Sequence, residues 1–188
     1  MKYLDLREKI KFNVFSLADV LKYFSQEGKY TIKTQLSRFI KKGLITKIKR
    51  ELYCFDQSPI DEMELANILY EPSYVSLETA LNYYGIIPDV PQVVTCVTLT
   101  TTKKITTVFG VFYYRKIKSE LFFGFKTIPA TTGHLKIASK EKALLDYFYI
   151  RKIKSISDLR LNFKDFNFSL YKQYVKSFPD WVQKIKLK

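Results

Sequence analysis

Between Ser16 and Phe55 the spacing of apolar side chains changes from helical to alternating, and that switch restricts the N-terminal third to few folds. In SLADVLKYF, Leu17, Val20, Leu21 and Phe24 recur at helical spacing, and Ser16 followed by Asp19 reads as a capping box. After a turn containing Gly28, TIKTQLSRFIKKG repeats the helical spacing at Ile32, Leu36, Phe39 and Ile40. Thr31 is its expected N-cap and Gly43 its stop. The next run, LITKIKRELYCF, alternates instead, with Ile45, Lys47 and Lys49 on one side and Thr46, Ile48 and Arg50 on the other. A second strand through Leu52 to Phe55 completes a predicted hairpin that turns near Lys49, Arg50 and Glu51.

Helix, turn, helix and hairpin, in that order, predict a winged helix-turn-helix. In that architecture the second helix enters the major groove and the hairpin touches phosphates or the minor groove. Residues 29–50 hold eight basic groups and no acid, the footprint expected of a polyanion-binding face. Stepping about 100° per residue from Leu36 sets Thr34, Arg38 and Lys41 opposite the apolar stripe, with Gln35, Ser37 and Lys42 on its flanks. The DNA-contacting set expected from the sequence is Lys33, Thr34, Gln35, Ser37, Arg38, Lys41, Lys42, Lys47, Lys49 and Arg50. Within it, Thr34, Gln35, Ser37 and Arg38 are assigned to the N-terminal half of the helix, where base edges are read. The aromatic residues lack the glycine-containing pattern of base-stacking sheets, which favours duplex DNA over RNA. The competing reading is a protein-interaction module whose basic unit grips an acidic partner.

The 188-residue chain is 47% hydrophobic and 16% aromatic, enough for a substantial core. Its net charge of +14 divides as +7 in residues 1–60, zero in 61–150 and +7 in 151–188. No apolar run is long enough to span a bilayer, and MKYLDLREKIKF lacks the apolar centre of a signal peptide. Cys54 and Cys96 are the only cysteines, too few for a disulfide scaffold. A cytoplasmic setting without membrane association is expected.

The composition shifts at DQSPIDEMELANILYEP, predicting a junction near residues 56–60 and two domains, 1–58 and 59–188. Beyond it, one helix ends before Pro72 and another runs from Ser76 to a stop at Gly85. The β-rich runs VVTCVTL, ITTVFGVFYYRKI and LFFGFKTI predict a mainly antiparallel sheet, because TTKK and KSE are too short for a crossover helix. Ser139 opens a helix that buries Ala143, Leu144, Tyr147 and Phe148, and DLRLNF and SLYKQYVKSF predict further basic helices. The expected fold class is α+β: a winged helix-turn-helix followed by a mixed domain with a mainly antiparallel sheet and flanking helices.

Catalytic signals are sparse. His134 is the sole histidine and sits in the loop-like TTGHLK; Cys54 and Cys96 fall in expected strands; no GxxxxGK[ST] or GxGxxG occurs. Asp61, Glu62 and Glu64 read as charge in the first turn of a helix. No catalytic residue, metal site or cofactor is expected.

Taken in order, LSRFIKKGLITKIKRELYCF, SYVSLETALNYYGIIP and IASKEKALLDYFYI resemble the AbiEi-type antitoxins of bacterial type IV toxin–antitoxin and abortive-infection systems. The three segments fall in this order between Leu36 and Ile150. The resemblance implies a winged helix that represses its own operon at repeated promoter sites, and a C-terminal domain that opposes a nucleotidyltransferase-type toxin. It carries no catalytic motif onto this sequence. Arg151, Lys152 and Lys154, at the start of the basic C-terminal tail, are the candidates for antitoxicity. One departure stands at the wing tip, where relatives commonly carry glycine after the basic pair and this chain has Glu51.

Overall fold

The structure, a computed structural model, describes residues 1–56, 60–130, 133–157 and 159–187. It is a mixed α+β chain with two sheets, mainly antiparallel. It divides into an N-terminal unit, Met1–Asp61 with Thr107–Phe109 and Thr131–Gly133, and a C-terminal unit assembled from Glu62–Thr106, Gly110–Ala130 and His134–Lys188.

The N-terminal unit runs α1 (Tyr3–Lys9), β1 (Val14–Ser16), α2 (Leu17–Tyr23), α3 (Lys29–Lys41), β2 (Ile45–Lys49) and β3 (Leu52–Phe55). The capping box at α2 forms as the sequence predicts. Ser16 Oγ accepts from the Asp19 amide at 3.1 Å, and the Asp19 carboxylate accepts from the Ser16 amide at 2.8 Å. Helix α3 begins earlier than expected. Gly28, not Thr31, is its N-cap, because the Gly28 carbonyl already accepts from the Ile32 amide at 3.1 Å and leaves Thr31 inside the first turn. Gly43 ends the helix at φ +64°, and the amides of Gly43 and Leu44 close onto the carbonyls of Ile40 and Phe39 at 3.0 Å each.

Strands of this unit are ordered β1-β3-β2, both pairings antiparallel. The short β1 and the helix α1 are additions to the sequence reading. The strict alternation expected along β2 fails at a bulge: Lys47 pairs with Tyr53 and Lys49 with Leu52, so Ile48 is the extra residue. Ile45 and Ile48 are therefore both buried, at 1% and 6% exposure. Leu6, Phe15, Val20, Ile32, Leu36 and Phe55 share one core. Each such side chain contributes about 1.5–3 kcal/mol on burial, so the helices are held by this apolar centre rather than by propensity.

The C-terminal unit contains α4 (Glu62–Leu69), β4 (Ser73–Val75), α5 (Leu77–Tyr83), β5 (Val94–Thr98), β6 (Lys103–Thr107) and β7 (Gly110–Lys116). A 3₁₀ turn (Ser119–Leu121), β8 (Phe125–Pro129), β9 (His134–Ala138), α6 (Lys140–Arg151), α7 (Phe168–Val175) and α8 (Asp180–Gln183) follow. The six-stranded sheet is ordered β6-β7-β5-β4-β9-β8. β4 pairs antiparallel with β5, and β8 with β9, whereas β5–β7 and β4–β9 are parallel. Short connections did not force antiparallel neighbours at β5–β7 because β6 takes the outer position and returns the chain to β7. ITTVFGVFYYRKI is accordingly not one strand: it breaks at Val108–Phe109 between β6 and β7. His134 opens β9 rather than lying in a loop, and its side chain is exposed.

Two helix expectations also change. In DLRLNF, Asp158 lies outside the described residues, and Leu159–Phe163 is not helical. There the Asn162 amide donates to the Ile86 carbonyl at 2.8 Å, tying the segment to the turn after α5. Helix α6 is capped by Ser139 as expected, but Tyr147 is only half-buried, while Glu141, Lys142 and Asp146 are buried. Lys142 Nζ binds the Asp146 carboxylate and donates to Tyr74 Oη at 2.9 Å; Tyr74 Oη and Ser76 Oγ donate to Asp146 Oδ2 at 2.9 and 2.8 Å. Burial pushes the Asp146 carboxyl above its usual range and the Lys142 ammonium below its own. The network satisfies a charge pair that the apolar spacing of the helix does not announce.

Among the described residues, no helix is long and apolar enough to cross a membrane.

Candidate nucleic-acid interface

Helix α3 packs against α2 and β2, and it presents its cationic side chains outward. Its buried positions, Ile32 and Leu36, fix the rotation of the helix, so Arg38 and Lys41 on the opposite side face solvent. Lys33, Ser37, Arg38, Lys41 and Lys42 are exposed on α3, and Lys47 and Arg50 are exposed on the hairpin; Lys49 is half-buried in β2. Among the described residues, Arg38, Lys41, Lys42, Lys47 and Arg50 make no ion pair.

One contact ties the helix to the hairpin tip. Lys33 Nζ donates to Glu51 Oε1 at 2.9 Å, with the two side chains 44% and 40% exposed. Glu51 takes φ +60°, the left-handed conformation for which glycine is preferred, so the tight turn forms without glycine. The Glu51 carbonyl also accepts from the Leu17 amide at 2.9 Å, which anchors the turn to the start of α2. Hydrogen bonding and charge from Lys33, joined by the charges of Lys29 and Arg50, hold the Glu51 carboxyl below its usual range. The acid at the hairpin tip is therefore ionised and already matched to one lysine.

The earlier start of α3 alters the assignment along the helix. Its first two turns are Lys29 to Gln35, so Ser37 and Arg38 fall in the third turn rather than in the N-terminal half. The Thr34 hydroxyl donates to the Tyr30 carbonyl at 3.0 Å, and Gln35 Oε1 is enclosed without a hydrogen-bond partner among the described residues. Gln35 is half-buried rather than fully presented to solvent. Tyr30, 85% exposed in the first turn, is the surface residue that the sequence reading missed. The available signal was Gly28, an acceptable N-cap that would have included Lys29 and Tyr30 in the helix.

The C-terminal candidates are not equivalent. Arg151 makes a bidentate pair with Glu78, Nε to Oε1 at 2.6 Å and Nη2 to Oε2 at 3.0 Å, and this bonding raises its pKa further. Lys152 is exposed in the left-handed conformation at φ +58°, with its ammonium 5.1 Å from the Tyr149 ring centroid and 5.2 Å from that of Trp181. Tyr149 and Trp181 stack at 6.1 Å, so Trp181 packs as an anchor. Lys154 is exposed beyond the helix.

Cys54 and Cys96 are both buried, with free thiols. Burial pushes the Cys54 thiol up to about 11 and raises the Cys96 thiol further, which disfavours the nucleophilic thiolate. Among the described residues, no group of three or more His, Cys, Asp or Glu could hold a metal ion. Comparison with known families and with curated proteins finds no match to this chain.

Proposed function

We propose that residues 1–61 form a winged helix that binds duplex DNA, and that the chain is a regulator of its own operon rather than an enzyme. The observation that carries this reading is the Lys33–Glu51 contact, which joins α3 to the β2–β3 turn on one cationic face. In the proposed complex α3 lies in the major groove. Tyr30, Thr34 and Arg38 are available toward base edges, and Lys41, Lys42, Lys47 and Arg50 toward phosphates. The order of elements and the three-stranded antiparallel sheet support the same reading.

The resemblance to AbiEi-type antitoxins extends the proposal to promoter repression from the N-terminal unit and opposition to a nucleotidyltransferase-type toxin from the C-terminal unit. Of the antitoxicity candidates, Lys152 and Lys154 are exposed, whereas Arg151 is engaged with Glu78. The second reading, an acidic protein partner, draws support from the exposed Tyr30 ring, since aromatic side chains anchor protein interfaces. Binding of the full chain to the duplex upstream of its own gene and to a scrambled duplex of equal length tests the proposal. Preference for the first supports operator recognition; no duplex binding leaves the protein-partner reading.

A further inference from the structure

We infer that the C-terminal unit carries a phosphate-binding pocket, a site independent of the DNA-binding reading of the N-terminal unit. A surface cavity of about 260 Å³ is lined by Thr102, Arg115, Lys116, Tyr149, Ile150 and Lys152. Three of these six are cations and none is an acid. The neutral charge balance of residues 61–150 conceals Arg115 and Lys116, which the fold brings beside Lys152 of the basic tail.

Arg115 is the central group. Its Nε is shielded from solvent and has no hydrogen-bond partner among the described residues, while its guanidinium carbon lies 5.9 Å from the Tyr113 ring centroid. That nitrogen is closed to the cavity, but Arg115 makes no ion pair among the described residues, so its permanent charge is unmatched, and the planar guanidinium matches the oxygens of a phosphate group. Thr102 Oγ1 accepts from the Lys116 amide at 3.1 Å, which leaves its O–H as a further donor. On another wall, the Lys152 ammonium rests over Tyr149 and Trp181. That position restricts the lysine without neutralising it. The cavity therefore combines charge, a guanidinium and a hydroxyl donor in a volume suited to one or two phosphate groups.

The ligand is a phosphate group, either inorganic or borne by a nucleotide. Inorganic pyrophosphate and ATP are the probes, titrated into the isotopically labelled full chain with amide shifts followed by NMR. Saturable shifts are expected at Thr102, Arg115, Lys116, Ile150 and Lys152. Arg115→Gln and Lys152→Gln should each weaken pyrophosphate binding about tenfold. Arg115→Lys, which keeps the charge and loses the fork, should bind between wild type and Arg115→Gln. Lys172→Gln, an equal charge change on α7, should leave binding unchanged. Since Lys152 is exposed, its variant retains the test should Arg115→Gln misfold. ATP binding as tight as pyrophosphate, with added shifts at Tyr149 or Trp181, identifies a nucleotide; pyrophosphate binding alone identifies an inorganic ligand, and both support the site. Shifts spread over other basic surfaces, or equal losses for Lys172→Gln and Arg115→Gln, would overturn it.

Discussion

The ammonium of Lys33, in the second turn of α3, donates to the Glu51 carboxylate at 2.9 Å, although Glu51 occupies a left-handed turn better suited to glycine. The contact aligns the helix with the hairpin tip and also places a negative charge on an otherwise cationic face. Glu51→Gly removes that charge, frees Lys33 and relieves the backbone, at the loss of an exposed ion pair. The expected outcome is tighter duplex binding, with a salt dependence steeper by about one in slope and a thermal midpoint unchanged or slightly higher. Weaker binding would show that the pair is needed to hold the face together.

Base reading and phosphate contact separate by substitution. Arg38→Ala is expected to cost about 1–3 kcal/mol on the operator and less on a scrambled duplex. Lys47→Ala and Arg50→Ala should weaken both duplexes alike. Competition binding measures the difference, and equal losses on both duplexes for Arg38→Ala would remove it from base recognition.

Lys142 and Asp146 form a buried pair whose disruption leaves a charge without compensation. Asp146→Ala is expected to destabilise the protein by about 3–5 kcal/mol, whereas the double replacement Lys142→Met with Asp146→Leu should cost much less. Urea unfolding monitored by circular dichroism provides the comparison. A double variant as unstable as the single one would assign the loss to packing rather than charge.

Alkaline pH should destabilise the fold through groups that burial keeps protonated. The Cys54 thiol is pushed up to about 11, and the Tyr84 and Tyr171 phenols up to about 12. Folded values above unfolded ones mean that this stabilisation is fully present below the unfolded values, about 8.5 for a thiol and 10 for a phenol, and is lost as pH rises through the folded values. Unfolding midpoints are therefore expected to fall between about pH 9 and 12. A flat profile over that range would contradict the burial of these groups.

Legibility in the sequence followed the range of the interactions. The Ser16–Asp19 box and the Gly43 stop are local, and both appear where the sequence marks them. The N-cap of α3 is Gly28, three residues before the expected Thr31, because glycine can cap with its backbone alone, a weaker signal than the Thr31 hydroxyl. The β2 bulge, the parallel β5–β7 pairing and the non-helical Leu159–Phe163 depend on partners distant in sequence, which apolar spacing does not encode. The same holds at the candidate interface. The basic window was legible, but the pairing of Lys33 with Glu51 and the enclosure of Gln35 Oε1 required the fold.

Salt-dependent duplex binding by charge-matched variants of the full chain tests the central claim most directly. With roughly five phosphates neutralised, wild-type affinity should fall with salt at a logarithmic slope of about −4 to −5. Combined Lys41→Gln, Lys42→Gln and Lys47→Gln should shrink that slope by about three, while Lys164→Gln, Lys172→Gln and Lys176→Gln should leave it nearly unchanged. Equal reductions from both sets would contradict an interface built on α3 and the β2–β3 hairpin.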